Sequence, residues 1–189
     1  MLRLFFALLP TAEQNASLAD IVSPLVARLG AQRVPAENLH VTLCFVGAVA
    51  EEKLDALKAA AQGVRARTVT LHFDHLDYWA KPKILCATAM ESASSAPAAE
   101  LSTQLANVAL SAGFAPDAKP FRAHVTLARK VDAARAADGE WPCALTSAVL
   151  VHCDRFVLMR SEKGEAGSVY SVVAEWPLDD DNSLRSCAT

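Results

Sequence analysis

The sequence predicts an α+β fold with largely antiparallel sheets, built from two similar halves, and three observations carry the prediction. A four-residue phrase occurs twice, His40-Val41-Thr42-Leu43 and His124-Val125-Thr126-Leu127, each inside an apolar run with the period-two alternation of a β-strand. The order helix, glycine stop, proline-containing loop and His strand also recurs: His40 follows Gly30 by ten residues, and His124 follows Gly113 by eleven. Strands and a glycine-containing hairpin then close the chain, which argues for antiparallel pairing and against alternating βαβ units.

Leu2 to Leu9 is an apolar segment whose Phe5-Phe6 pair suits a buried strand. The start Met1-Leu2-Arg3 imitates a leader, but the apolar run is at minimal length and a helix start follows at once, so a first strand is expected. Thr11 with Gln14 forms a capping-box pattern, and Leu18, Ile21, Val22, Leu25, Val26 and Leu29 recur at helical spacing up to Gly30. Pro24 inside that stretch predicts a kink, or a second segment capped by Ser23. After a loop to Asn38 comes the first His strand, ending at Gly47, and Glu51 to Gln62 reads as an acid-led helix.

Val69, Leu71 and Phe73 alternate with polar residues as a strand, a loop runs through Tyr78 to Pro82, and Ile84 to Ala89 is a short apolar strand. Met90 to Pro97 reads as a surface connection, and Ala98 to Ala112 as a helix stopped by Gly113. Beyond the second His strand an Ala-rich loop covers Val131 to Glu140. Strands are expected near Val149 to Val151, Phe156 to Met159 and Val169 to Trp176, with a turn at Lys163 to Gly167. Residues 1–178 are expected to form one bilobal domain, and 179–189, opening on Asp179-Asp180-Asp181, an acidic disordered tail.

Composition narrows the function classes. The chain has 189 residues, of which 52% are hydrophobic and 21% charged, enough for a sizeable core and unlike a disordered chain. No apolar run reaches the roughly 18 residues of a membrane span, so no membrane partner is expected. A formal net charge of −3 supplies no global field for polyanions, although an enzyme that handles only one end of a nucleic acid is compatible with it. The five cysteines are odd in number and lack a Cys-x-x-Cys, which fits a reduced, cytoplasmic setting.

Strand alternation puts His and Thr of each copy on one face and Val and Leu on the other. A single strand histidine is ordinarily a packed one; two copies in a repeated frame argue for a shared task. If the two faces meet across one cleft, one imidazole can accept a proton from a nucleophile while the other gives one to a leaving oxygen. The two hydroxyls can then donate to the non-bridging oxygens of a phosphoryl group. This chemistry needs neither metal nor cofactor, and none is expected. His72, His75 and the His152-Cys153 pair do not complete a zinc pattern. Alternation also places Arg122 and Lys130 on the face of His124, and Cys44 on that of His40 and Thr42 as cleft floor. Arg129 falls on the opposite face unless the strand bulges.

The paired His-x-Thr-x motifs, about eighty residues apart, resemble those of the two-histidine (2H) phosphoesterases, and the surroundings resemble the RNA 2′,3′-cyclic phosphodiesterase or 2′-5′ RNA ligase family. The matching stretches include Arg3 to Leu8, Asn38 to Leu43, Trp79 with Pro82, Phe121 to Arg129, Leu158 with Ser161, Tyr170, and Trp176 to Leu178. Two departures are Ala123, where the family usually has Pro, and Arg33, near where it often has Trp.

The resemblance implies a duplicated bilobal fold with two antiparallel sheets around a cleft and helices outside. It implies hydrolysis of a terminal RNA 2′,3′-cyclic phosphate to a 2′-phosphate, with the related joining of ends through a 2′-5′ bond. His40 becomes the proton donor and His124 the acceptor, with Thr42 and Thr126 on the phosphate and Arg129, or else Arg122, as the cation. Two other readings remain open on the residues: a phosphodiesterase for a small cyclic phosphate, such as a cyclic nucleotide or an ADP-ribose derivative, and a non-catalytic binder of phosphorylated RNA ends. A monomer is expected.

Overall fold

A computed structural model describes residues 1–89, 95–117, 119–164 and 167–180. In chain order the elements are β1 (Leu2–Leu8), α1 (Ala12–Arg28), β2 (Gln32–Arg33), β3 (Val41–Val49), α2 (Leu54–Ala61), β4 (Val69–Trp79), β5 (Ile84–Thr88), α3 (Ala96–Ser111), β6 (His124–Arg129), α4 (Ala133–Ala136), β7 (Cys143–Cys153), β8 (Arg155–Gly164) and β9 (Gly167–Pro177). Short 3-10 turns at Ala36–Asn38 and Glu51–Lys53 lead into β3 and α2.

The strands run β7-β4-β5-β6-β3-β1-β8-β9, every neighbour antiparallel, with β2 added beside β6. The order divides into two four-stranded arrays, one ending on β6 and the other on β3, and the two are joined by the single pair Val41↔Val125. The expected two sheets around a cleft therefore take the form of two arrays hinged on the valines of the two repeated phrases. Both valines are fully buried, as the apolar face of the alternation requires.

The helices cross over between the halves. α1, which lies in the chain between β1 and β2, packs against β6 and β7, whereas α3 packs against β3 and α2. Leu18 and Val22 from α1, Leu57 from α2, and Leu101 and Leu105 from α3 join one core with the strand faces of both halves. The other side of the sheet carries a small apolar cluster of Phe5, Ala7, Val157 and Met159, flanked by Leu9 and Tyr170. α1 and α3 are thus each buried against strands of the other half.

Local expectations meet different fates. Thr11 and Gln14 form the reciprocal capping box at the start of α1. Pro24 starts no second segment: α1 continues through it to Arg28, and Ser23 bonds back to the Ala19 carbonyl instead of capping. The expected loop at Tyr78-Trp79 is the end of an eleven-residue β4, paired with both β5 and β7. α4, capped by Asp132, occupies part of the expected Ala-rich loop. Most of the connection expected at Met90 to Pro97 lies outside the described residues, as does 181–189. Asp179, placed at the start of a tail, exchanges backbone bonds with Ala66 and Thr68.

Candidate active site

The antiparallel pair Val41↔Val125 sets the geometry of the cleft. Residues flanking such a pair stand opposite one another, so His40 lies toward Thr126 and Thr42 toward His124, all four on the face away from the valines. The imidazoles become diagonal neighbours, roughly 7–8 Å apart at the backbone. Their proximity is also electrostatic, because a charge on His124 opposes protonation of His40.

Each imidazole is held alike. His40 Nδ1 lies 2.7 Å from the Asn38 carbonyl, and His124 Nδ1 lies 2.7 Å from the Arg122 carbonyl, two residues upstream in both cases. A carbonyl only accepts, so Nδ1 carries the hydrogen and Nε2 is left for chemistry. Among the described residues the Thr42 hydroxyl has no hydrogen-bond partner in the chain, and that of Thr126 has only a 3.9 Å contact with the Cys86 sulfur.

Aromatic walls strip water from both rings. Phe5 and Tyr170 stand 5.0 and 5.1 Å from His40, and Trp79 stands 4.6 Å from His124. Burial is the largest cause lowering the His40 pKa, to about 4; the Asn38 carbonyl opposes that shift, while the charges of Arg129 and His124 add to it. His124 is lowered too, by burial first and then by the charge of Arg122, against the raising effect of its carbonyl bond. Both imidazoles are therefore predominantly neutral at pH 7 before an anion enters.

A bulge in each His strand decides which neighbours reach the cleft. In the β5–β6 register the partner of Cys86 is Thr126 but that of Leu85 is Ala128, so Leu127 is the extra residue. Leu127 and Ala128 are both buried and Arg129 emerges exposed, with its guanidinium 3.4 Å from the Tyr170 hydroxyl. The condition attached to Arg129 is present in the chain.

β3 bends at the equivalent point. Ala7 pairs with Thr42 and Phe6 with Cys44, leaving Leu43 extra. Simple alternation fails here for Cys44, which turns into the helix-side core with a thiol pKa pushed up to about 11, while Phe45 comes out exposed. Both bulge carbonyls are satisfied from elsewhere in the chain, Leu43 by the Ser102 hydroxyl of α3 at 2.6 Å and Leu127 by the Val34 N–H at 2.9 Å.

Arg122 is already engaged. It donates to Asp77 at 2.9 Å and lies 5.1 Å over the Trp79 ring, and Asp77 also accepts from Trp79 Nε1 at 2.8 Å. Asp77, a buried carboxylate that the sequence reading passes over, thus fixes Trp79 and Arg122 against His124. Its signal is the Asp-x-Trp spacing, which puts both side chains on one strand face. Lys130, the residue after β6, has a left-handed φ of 54°. His75 bonds Asp74, His152 bonds Thr70, and among the described residues no three metal-ligating side chains gather.

Two half-sites, each carrying an imidazole and a hydroxyl beside the Val41↔Val125 pair, make a duplicated arrangement. The family model of the 2′-5′ RNA ligase superfamily matches residues 10–165, and the chain belongs to that superfamily. It is 27% identical over 181 residues to the RNA 2′,3′-cyclic phosphodiesterase of Escherichia coli K12, covering 93% of this chain and 96% of that one. The crystal structure of E. coli LigT in complex with 3′-AMP superposes with a TM-score of 0.81 at 25% identity, over 94% and 98% of the two chains. TT0787 of Thermus thermophilus gives 0.72 at 25% identity, over 95% and 99%.

Proposed function

We propose that the protein is an RNA 2′,3′-cyclic phosphodiesterase that opens a terminal cyclic phosphate to a 2′-phosphate without a metal, and that the cleft containing His40, Thr42, His124 and Thr126 is its active site. The observation that carries this reading is the shared placement of the two imidazoles, both with Nδ1 tied to a carbonyl and Nε2 free. In the reaction His124 takes a proton from water as its oxygen bonds to phosphorus. The bond to the 3′ oxygen breaks, and His40 supplies that oxygen with a proton. Thr42 and Thr126 donate to the non-bridging oxygens, and Arg129 offsets the charge that builds on them.

A bound phosphodiester anion raises both imidazole pKa values, so that His40 takes up from solvent the proton it lacks in the free protein. With a 5′-hydroxyl in place of water, the same steps join RNA ends through a 2′-5′ bond. Four described cysteines are unpaired, which supports a reduced, cytoplasmic setting, and no helix among the described residues is long and apolar enough to cross a membrane.

The test is turnover of a short RNA ending in a 2′,3′-cyclic phosphate, in EDTA, with phosphorus NMR reading the product. The expected result is a 2′-phosphate whose formation His40→Ala and His124→Ala each slow by about a hundredfold or more. A folded wild-type protein that leaves this substrate intact contradicts the proposal. Turnover of a small cyclic phosphate in its place would establish the alternative reading.

A further inference from the structure

Beside His40, bounded by Asn38, Tyr170 and Arg129, lies a groove of about 1660 Å³. Its near end is made by residues that already touch the catalytic neighbourhood. Asn38, whose carbonyl holds His40, donates its side-chain amide to the Ser168 carbonyl at 3.5 Å, and Tyr170 and Arg129 line the same wall. Farther out the cationic lining comes from Arg33, Lys83, Lys130 and Lys163, against the two carboxylates Glu37 and Asp132. Asp132 is occupied in capping α4 and in an ion pair with Arg135. Among the described residues, no carboxylate pairs with Lys83, Lys130 or Lys163. A protein of net charge −3 has thus gathered at this groove three lysines that pair with no carboxylate among the described residues.

Backbone strain marks the same place. Among the described residues the non-glycine positions with positive φ are Lys83, at 53°, and Lys130, at 54°. They flank the cross-strand pair Ile84↔Arg129, and the Lys83 carbonyl accepts from the Val131 N–H at 3.0 Å. Left-handed backbone disfavours any residue with a Cβ, and such strain collects at functional sites. The groove is also larger than the roughly 300–1,000 Å³ of a small-ligand pocket.

We propose that this groove, through Lys83 and Lys130 with Arg33 on the neighbouring strand β2, binds the phosphates of the RNA chain upstream of the terminal cyclic phosphate. The inference rests on the reading of the cleft as a cyclic phosphodiesterase site. It goes beyond that reading in making an oligonucleotide the preferred substrate over a mononucleoside cyclic phosphate. Only a chain attached to the reacting phosphate runs continuously from the His pair past Tyr170 and Arg129 to the lysines.

The test compares kcat/KM for a nucleoside 2′,3′-cyclic phosphate and for a hexaribonucleotide with the same 3′ end, in wild type and in K83A/K130A, from about 50 to about 200 mM salt. Wild type should prefer the hexamer by about tenfold or more at low salt. The double variant should lose most of that preference, and its plot of log(kcat/KM) against log salt should be shallower by roughly 1.4, about 0.7 for each lost phosphate contact. K83G/K130G, which removes the same charges and relieves the left-handed strain, should behave alike if the cations are responsible.

Equal efficiency on both substrates in wild type, or an undiminished preference in the double variants, overturns the inference. Anisotropy of a labelled hexamer provides a readout independent of turnover. Binding that depends on Lys83 and Lys130, without turnover of either substrate, would remove the phosphodiesterase reading and keep the groove. Turnover without length preference would do the reverse.

Discussion

The two halves share their chemistry and differ in what surrounds it. Each presents the same His-x-Thr strand, the same Nδ1 bond to a carbonyl two residues back, and the same bulge one residue past the threonine. The residue that each bulge turns outward differs: Phe45 in the first half, beside Phe5 at 5.8 Å, and Arg129 in the second, beside Tyr170. Duplication places two like imidazoles, and the divergent positions give the two strands a polarity, an exposed aromatic ring, Phe45, after one bulge and an exposed cation, Arg129, after the other.

The largest effect that probes this comparison is loss of either imidazole. His40→Ala and His124→Ala should each lower kcat by about 10²–10⁴, with the double variant little worse than the single ones because the two act in one step. Additive losses would show that the halves work independently.

Next come the two bulge-exposed residues. Arg129→Ala should lower kcat/KM by about ten- to a hundredfold through a lost charge-assisted contact to phosphate. Phe45→Ala should cost less and act mainly on KM. A reversal of that order would contradict the assigned polarity.

Stability should depend on pH through His40. Its pKa falls from the ordinary 6.5 to about 4 on folding, so between those values the unfolded chain binds a proton that the folded one does not. Stability therefore rises with pH across that window, and as pH falls from 6.5 toward 4 up to about 3 kcal/mol is lost from this group. His40→Gln, measured by denaturant unfolding at several pH values, should flatten that slope. An unchanged slope would mean that His40 is not buried as a neutral group.

Smaller still is the effect of Arg122. Its charge is one cause of the lowered His124 pKa, so Arg122→Gln should move the optimum of kcat/KM, itself expected below pH 6.5 for a pair with both values lowered, toward higher pH by a fraction of a unit. A shift to lower pH would mean that the aromatic wall had reorganised.

Much of this is legible in the amino-acid sequence, and the reasons are local. Period-two alternation identifies the faces of both His strands, and the Thr11 to Gln14 pattern identifies the start of α1, because both rest on neighbouring residues. What escapes depends on registers between distant strands. Alternation puts Cys44 on the cleft face, although the consecutive apolar pairs Leu43-Cys44 and Leu127-Ala128 are visible marks of a broken parity. Trp79 reads as loop because its strand pairing, with Ile84 of β5, does not show in its own neighbours, and Asp77 has no meaning until β4 brings it under Arg122. The crossing of α1 and α3 onto opposite halves leaves no trace in either helix's own periodicity.

The central claim is that two identically held imidazoles split one proton transfer into an acid and a base. It is tested most directly with a nucleoside 2′,3′-cyclic phosphate whose 3′ bridging oxygen is replaced by sulfur, a leaving group that needs no proton. His40→Ala should recover most of its deficit on this substrate, by about a hundredfold or more, while His124→Ala stays as impaired as on the oxygen substrate. Equal impairment of both variants on both substrates would contradict it.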